Sequence, residues 1–178
     1  MSLARYYRFN RATRARACES GRQVIVPTRY VLPSRFRSRP DTVTAITQQL
    51  KPDVYPRVDD EATIVLTYPK AQAIIQASGN WAFDRKDIEV YGQTGYAITV
   101  RSNDLRVRRG TSQEEQIAAK PLPAPYDDSL SYLQAVLSGQ VPSAGPSSLE
   151  TNLVVTEILD AARRSAASGK TVRLSATR

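Results

Sequence analysis

The chain has 178 residues, 25 Lys and Arg against 17 Asp and Glu, one cysteine and no histidine. Without imidazole there is no Ser-His-Asp or Cys-His relay, no His-containing zinc site and no histidine general base, and the lone Cys18 allows neither an internal disulfide nor a four-cysteine metal site. No segment approaches ~18 consecutive apolar residues, so no membrane-spanning helix is predicted, whereas a hydrophobic content of 41% is enough to build a core in a chain of one domain or slightly more.

The net charge of +8 is unevenly placed. Residues 1–40 hold ten arginines and one acid, Glu19, for a net +9, whereas residues 41–178 hold fifteen bases and sixteen acids, for a net −1. The chain is therefore read as a basic, poorly ordered leader over 1–40 and a domain over 41–178. The leader's longest aliphatic run, Val24-Ile25-Val26, is too short for a secretory signal. Four readings of it compete. It can be an arm that meets phosphates through Arg5, Arg8, Arg11, Arg14 and Arg16, with Tyr6 and Tyr7 for stacking. It can be an Arg-rich, acid-poor transit peptide, or a solvated segment without a role. The fourth reading depends on the rest of the chain.

From Thr42 the texture changes to short alternating segments bounded by turn residues, the mark of half-buried strands. Val43 and Ala45 alternate with Thr42 and Thr44. Ala62, Ile64, Leu66 and Tyr68 share one face, with Thr63, Val65 and Thr67 on the other. After a Pro69-Lys70 turn, Ala71, Ala73, Ile75 and Ala77 oppose Gln72, Ile74 and Gln76. Further strands are predicted over Lys86 to Tyr91, Tyr96 to Val100 and Asp104 to Arg108, the last a charged edge strand. Connections this short make neighbouring strands antiparallel. A loop without regular structure is predicted over Gly110 to Tyr126. A helix capped by Asp127 or Asp128 then carries Leu130, Leu133, Val136 and Leu137 to a stop at Gly139. A second helix opens with capping-box spacing at Ser147-Ser148-Leu149-Glu150, carries Leu153, Val154, Ile158, Leu159 and Ala162, and ends near Gly169, with a final strand over Thr171 to Leu174. Strands followed by helices predict an α+β fold: a mostly antiparallel open sheet with helices packed on one face.

Four short motifs each admit a chemical and a structural reading. Gly92-Gln93-Thr94-Gly95 resembles part of a phosphate loop or of a backbone-clamping loop, but strands predicted on both sides make it a hairpin turn. Asp59-Asp60-Glu61 could hold a cation, yet adjacent residues in extended chain point in alternate directions, which favours a solvated approach to a strand. Tyr126-Asp127-Asp128 could pair carboxylates for acid-base work, and helix capping explains it more simply. In Asn80-Trp81-Ala82-Phe83-Asp84-Arg85 the sole tryptophan is either a core anchor at a strand end or, with Arg85, the rim of a small-molecule cleft.

The run Val58-Asp59-Asp60-Glu61-Ala62-Thr63-Ile64-Val65-Leu66, followed by Ala73 to Ser78, Asn80-Trp81 and Arg85 to Gly95, resembles the sheet of the C-terminal domain of the Gfo/Idh/MocA oxidoreductases. Leu149 to Leu174, with Glu157 to Ser165 and Gly169-Lys170-Thr171-Val172, resembles that family's last helix and strand. The resemblance covers about residues 40–178 in the family's order. It implies the half of the enzyme that forms the substrate wall and the subunit interface, with a sugar, polyol or related alcohol as substrate and NAD(P) as the cofactor of a full-length relative. The family's Rossmann half has no counterpart here: there is no G-x-G-x-x-G, Lys51-Pro52 and Lys120-Pro121 do not follow a glutamate, and the family's Asp and His pair is unmatched. No catalytic or cofactor-binding residue carries over, so no cofactor is expected to bind this chain alone. The fourth reading of the leader follows: the distal part of a broken gene, with residues 1–40 translated from another frame or start. The resulting expectation is a cytoplasmic, non-catalytic domain that self-associates through the open face Thr63, Val65, Thr67, Gln72, Ile74 and Gln76, with Trp81 and Arg85 as cleft residues. A homo-oligomeric interaction module and a basic-arm nucleic-acid binder are the alternatives.

Overall fold

Period-two alternation of apolar and polar residues governs the first part of the structure, a computed structural model that describes residues 39–81, 88–100, 104–144 and 148–174. The leader up to residue 38 and Arg85 lie outside the described residues. The described residues form two units, one of 39–81, 144 and 148–174, the other of 88–100 and 104–143.

In the first unit, strands β1 (Thr42–Gln48), β2 (Glu61–Tyr68) and β3 (Ala71–Ser78) form an antiparallel meander, and β8 (Val172–Arg173) returns to the free side of β1, giving the order β3-β2-β1-β8. The register places Val43 opposite Leu66 and Leu66 opposite Ala73, then Ala45 opposite Ile64 and Ile64 opposite Ile75. These rows make the apolar face.

Helix α2 (Leu149–Ser168) covers that face with Ile158, Ala161, Ala162 and Ser165, one stripe at helical spacing. Three of these four are small, which lets the helix backbone lie close to the strands. The helix starts at Ser148, whose hydroxyl accepts from the Thr151 amide, and stops at Gly169 in the left-handed conformation. The capping box expected from Ser147 and Glu150 is thus displaced by one residue, and Glu150 instead places its charge in the first turn, at the positive end of the helix dipole. Val43, Ile64, Leu66, Ile75 and Ile158 are buried at the centre of this layer, each worth about 1.5–3 kcal/mol against exposure to water.

β8 pairs with β1 only at Thr42 and Val43. One residue on, the Thr44 and Thr171 hydroxyls meet at 2.8 Å, and the Ala45 amide donates to Ser165 Oγ of α2 at 2.9 Å. A buried backbone donor that has run out of strand partners is thereby satisfied by a helix side chain.

The second unit holds an antiparallel meander of β4 (Glu89–Gly92), β5 (Gly95–Val100), β6 (Asp104–Arg109) and β7 (Glu115–Ala118), in chain order. Two expectations are corrected here. Part of the predicted irregular loop is strand β7, and because β7 pairs along β6, β6 is an interior strand. Gln93-Thr94 makes the hairpin turn between β4 and β5, with Gly92 paired to Gly95. Helix α1 (Ser129–Leu137) begins at the Asp128 N-cap, whose carboxylate accepts the Ser131 amide at 2.9 Å. It closes with Gly139 at φ 74° and the paired bonds Gln140 N–H to Ala135 O and Gly139 N–H to Val136 O. Its periodicity predicts a packed apolar stripe; the structure buries Ala135 and leaves Leu130, Leu133 and Leu137 exposed. Among the described residues no helix is long and apolar enough to cross a membrane. Among the described residues the architecture is α+β, with two helices and two open antiparallel sheets.

Candidate functional site

Two places on the first unit carry the features singled out in the sequence. One is the end of the sheet where the β1–β2 loop meets the chain leaving β3. Asp60 is buried there at 3% exposure, so it is not the solvated residue that the acidic run suggests. Its two carboxylate oxygens accept the Leu50 and Lys51 amides at 2.8 and 2.7 Å. Its own amide donates to Gln48 O, and its carbonyl accepts the Gly79 amide at 2.7 Å. Burial pushes its pKa up, but the hydrogen bonds from the Leu50 and Lys51 amides and from Asn80 outweigh burial and hold it below the ordinary carboxylate value. The neighbouring Glu61 takes hydrogen bonds from the Ser78 hydroxyl and, at 2.9 Å, from Asn80 Nδ2. Trp81 follows directly. It is 37% exposed and is not among the buried residues of the core. The other cleft residue, Arg85, cannot be brought beside it, since it lies outside the described residues.

The second place is the face of the first sheet that α2 does not cover. Reading across β1, β2 and β3, its rows are Thr42, Thr67 and Gln72; Thr44, Val65 and Ile74; and Ile46, Thr63 and Gln76. All six residues predicted for the open face are here, and β1 adds three more. The Thr42 and Thr67 hydroxyls bond to one another. Ile46 and Ile74 are 66% and 61% exposed, two aliphatic side chains set among hydroxyls and amides with no formal charge in the nine. A neutral, mixed face of this kind suits the centre of a protein interface, where charge is depleted.

The second sheet has its own polar surface. Arg106 grips Glu114 with two hydrogen bonds, Nε to Oε1 at 2.7 Å and Nη2 to Oε2 at 2.8 Å, and Tyr96 donates to the same carboxylate at 2.6 Å. Tyr91 stacks obliquely on Tyr96, centroids 6.0 Å apart. The paired Arg106 and Glu114, with Tyr96 on the same carboxylate, brace the sheet. Among the described residues no group of three or more Asp, Glu or Cys could hold a metal ion, and the glycine pair at 92 and 95 is spent on a strand-to-strand hairpin, not on a turn leading into a helix.

The sequence of residues 30–98 matches the family model of the GFO/IDH/MocA C-terminal domain. The match begins at residue 30, inside the stretch read from the sequence as the basic leader. No curated protein matches the sequence. Among solved structures, the chain is similar in fold to an oxidoreductase from Agrobacterium radiobacter, solved in complex with NAD+, L-tartaric acid and magnesium, with 24% identity and a TM-score of 0.59 over 76% of this chain and 43% of that one. It is equally similar to the aldose-aldose oxidoreductase of Caulobacter crescentus, solved with glycerol, with 20% identity and a TM-score of 0.62 over 79% of this chain and 44% of that one. The chain therefore spans less than half the length of either solved relative. Residues 30–98, which hold the whole β1–β2–β3 meander, are thus similar in sequence to a GFO/IDH/MocA C-terminal domain, and the chain is similar in fold to solved oxidoreductases.

Proposed function

We propose that the chain is the substrate-side, subunit-joining part of an NAD(P)-dependent oxidoreductase of sugars, polyols or related alcohols, working in the cytoplasm and unable to transfer hydride alone. The observation that carries the reading is the face of the first sheet that α2 leaves open, with Ile46 and Ile74 exposed on it. A sheet with one face under a helix and the other presenting Ile46, Val65 and Ile74 in a neutral setting is built to meet a second surface. The non-catalytic part rests on chemistry. Hydride transfer needs a bound nicotinamide and a group to take up the alcohol proton, and the 178 residues offer neither a dinucleotide fingerprint nor a histidine. NAD+ and glycerol in the two solved relatives support the cofactor and substrate class proposed for the whole enzyme. Trp81 is the proposed contact for that substrate. The domain is proposed to start near residue 30, leaving a shorter basic leader before it.

Titration of the purified chain into NADH and NADPH, followed by nicotinamide fluorescence, is expected to show no binding in the micromolar range. Light scattering on the same sample is expected to give an oligomer. Micromolar cofactor binding would overturn the non-catalytic reading, and a strict monomer at high concentration would remove the interface.

A further inference from the structure

We infer that Asp60 and Glu61 are positioning residues for Trp81, fixing the chain that leads into it at the end of the first sheet before any ligand arrives. The geometry stands by itself; its purpose rests on the reading of Trp81 as a substrate contact.

A carboxylate taken out of water is costly unless its oxygens are all engaged. At Asp60 both oxygens are filled by consecutive main-chain amides, Leu50 and Lys51, at 2.8 and 2.7 Å. Asparagine could not replace it, because its amide nitrogen would face an N–H. The need for two acceptors on one short side chain selects aspartate. Through its main chain the same residue reaches the other way, accepting the Gly79 amide at 2.7 Å. One buried residue thus joins the β1–β2 loop to the chain leaving β3.

Glu61 continues the clamp one residue along. It accepts from the Ser78 hydroxyl and from Asn80 Nδ2, and the Asn80 amide donates to Ser78 Oγ at 2.9 Å. Tyr55 completes it: its hydroxyl donates to Gly79 O at 3.4 Å, and its ring lies 3.6 Å from where a Cβ on Gly79 would stand. Ser78, Gly79 and Asn80, the three residues before Trp81, are each tied to Asp60 or Glu61. A tryptophan whose preceding chain is fixed in this way meets a ligand without first losing the freedom of a loop, which is where preorganised contacts gain affinity.

Trp81 is the sole tryptophan, so intrinsic fluorescence of the ligand-free full chain reports on it alone. Asp60→Asn and Glu61→Ala are expected to shift its emission to the red and roughly double its quenching by acrylamide, as a locally opened segment does. Glu61→Gln, which keeps an acceptor oxygen, is expected to restore the wild-type spectrum. Ile158→Val, a core lesion on α2, is expected to lower the melting temperature and leave the indole unmoved. An unchanged spectrum in Glu61→Ala with native circular dichroism would overturn the inference, and that variant decides the matter should Asp60→Asn fail to fold. Glycerol and aldose titrations of the wild type separate the two readings: no quenching by ligand removes the substrate contact while the ligand-free shifts stand.

Discussion

Ile64 sits at the centre of the first sheet, wholly removed from water, with Ala45 beside it on β1 and Ile75 on β3. Cutting it to alanine leaves a hole between sheet and α2 that neighbouring strands cannot fill. Ile64→Ala is expected to lose about 2–5 kcal/mol of stability, measured by urea denaturation followed by circular dichroism. Thr63, next in sequence and on the open face, should tolerate alanine within about 0.5 kcal/mol in the same assay. Glu114 shows a different residue-scale effect. The hydrogen bonds from Arg106, then that from Tyr96, outweigh partial burial and hold its pKa at about 2, against an ordinary value of 4.5. A carboxylate lowered on folding stabilises the protein at pH values above its unfolded pKa, and that contribution is lost as pH falls through the folded one. The melting-temperature gap between wild type and Glu114→Gln is therefore expected to be complete above pH 4.5 and to close as pH falls toward about 2. Solvent screening keeps the gap small. Asp60, lowered mainly by amides that outweigh its burial, gives an acid dependence of the same sign.

At the scale of elements, the second sheet depends on a close approach at one glycine. Gly95 has φ 153°, and a Cβ there would stand 2.0 Å from the Arg108 carbonyl oxygen across the β5–β6 pair. The obstacle is backbone, so β6 itself would have to move. Gly95→Ala is expected to cost more than about 1 kcal/mol and to speed hydrogen exchange at the β5 and β6 amides, read by mass spectrometry. The strands that sequence makes plain are those whose alternation reports directly on a covered face: Val43 and Ala45, then Ala62, Ile64 and Leu66, and Ala73 and Ile75 all face α2 as their period demands. Strand β7 is hidden because its four residues, Glu115 to Ala118, carry one long aliphatic side chain, Ile117, too few for a pattern. Missing β7 made β6 look like an edge. The role of Asp60 is hidden for another reason: its partners are backbone amides, which no side-chain spacing encodes. The stripe on α1 is legible as apolar, but periodicity alone does not say whether anything covers it, and Leu130, Leu133 and Leu137 prove exposed.

At the scale of the molecule, the first sheet separates two tasks by face. The α2 side supplies folding energy, and the other side is the one proposed to meet a partner. Ile74→Asp places a charge in the middle row of that free face, beside Val65. It is expected to shift light scattering toward the monomer while changing stability by no more than about 0.5 kcal/mol, because the residue is exposed in the isolated chain. The early end of β8 has a further consequence. Past Val43 the outer edge of β1 would be an open template onto which a strand from another molecule could add, the usual route to fibrils. At Ala45 the amide that such a strand would seek is already taken by Ser165. The helix that closes the core thus also guards the sheet's border, and one serine hydroxyl occupies a donor that unlimited strand addition would need.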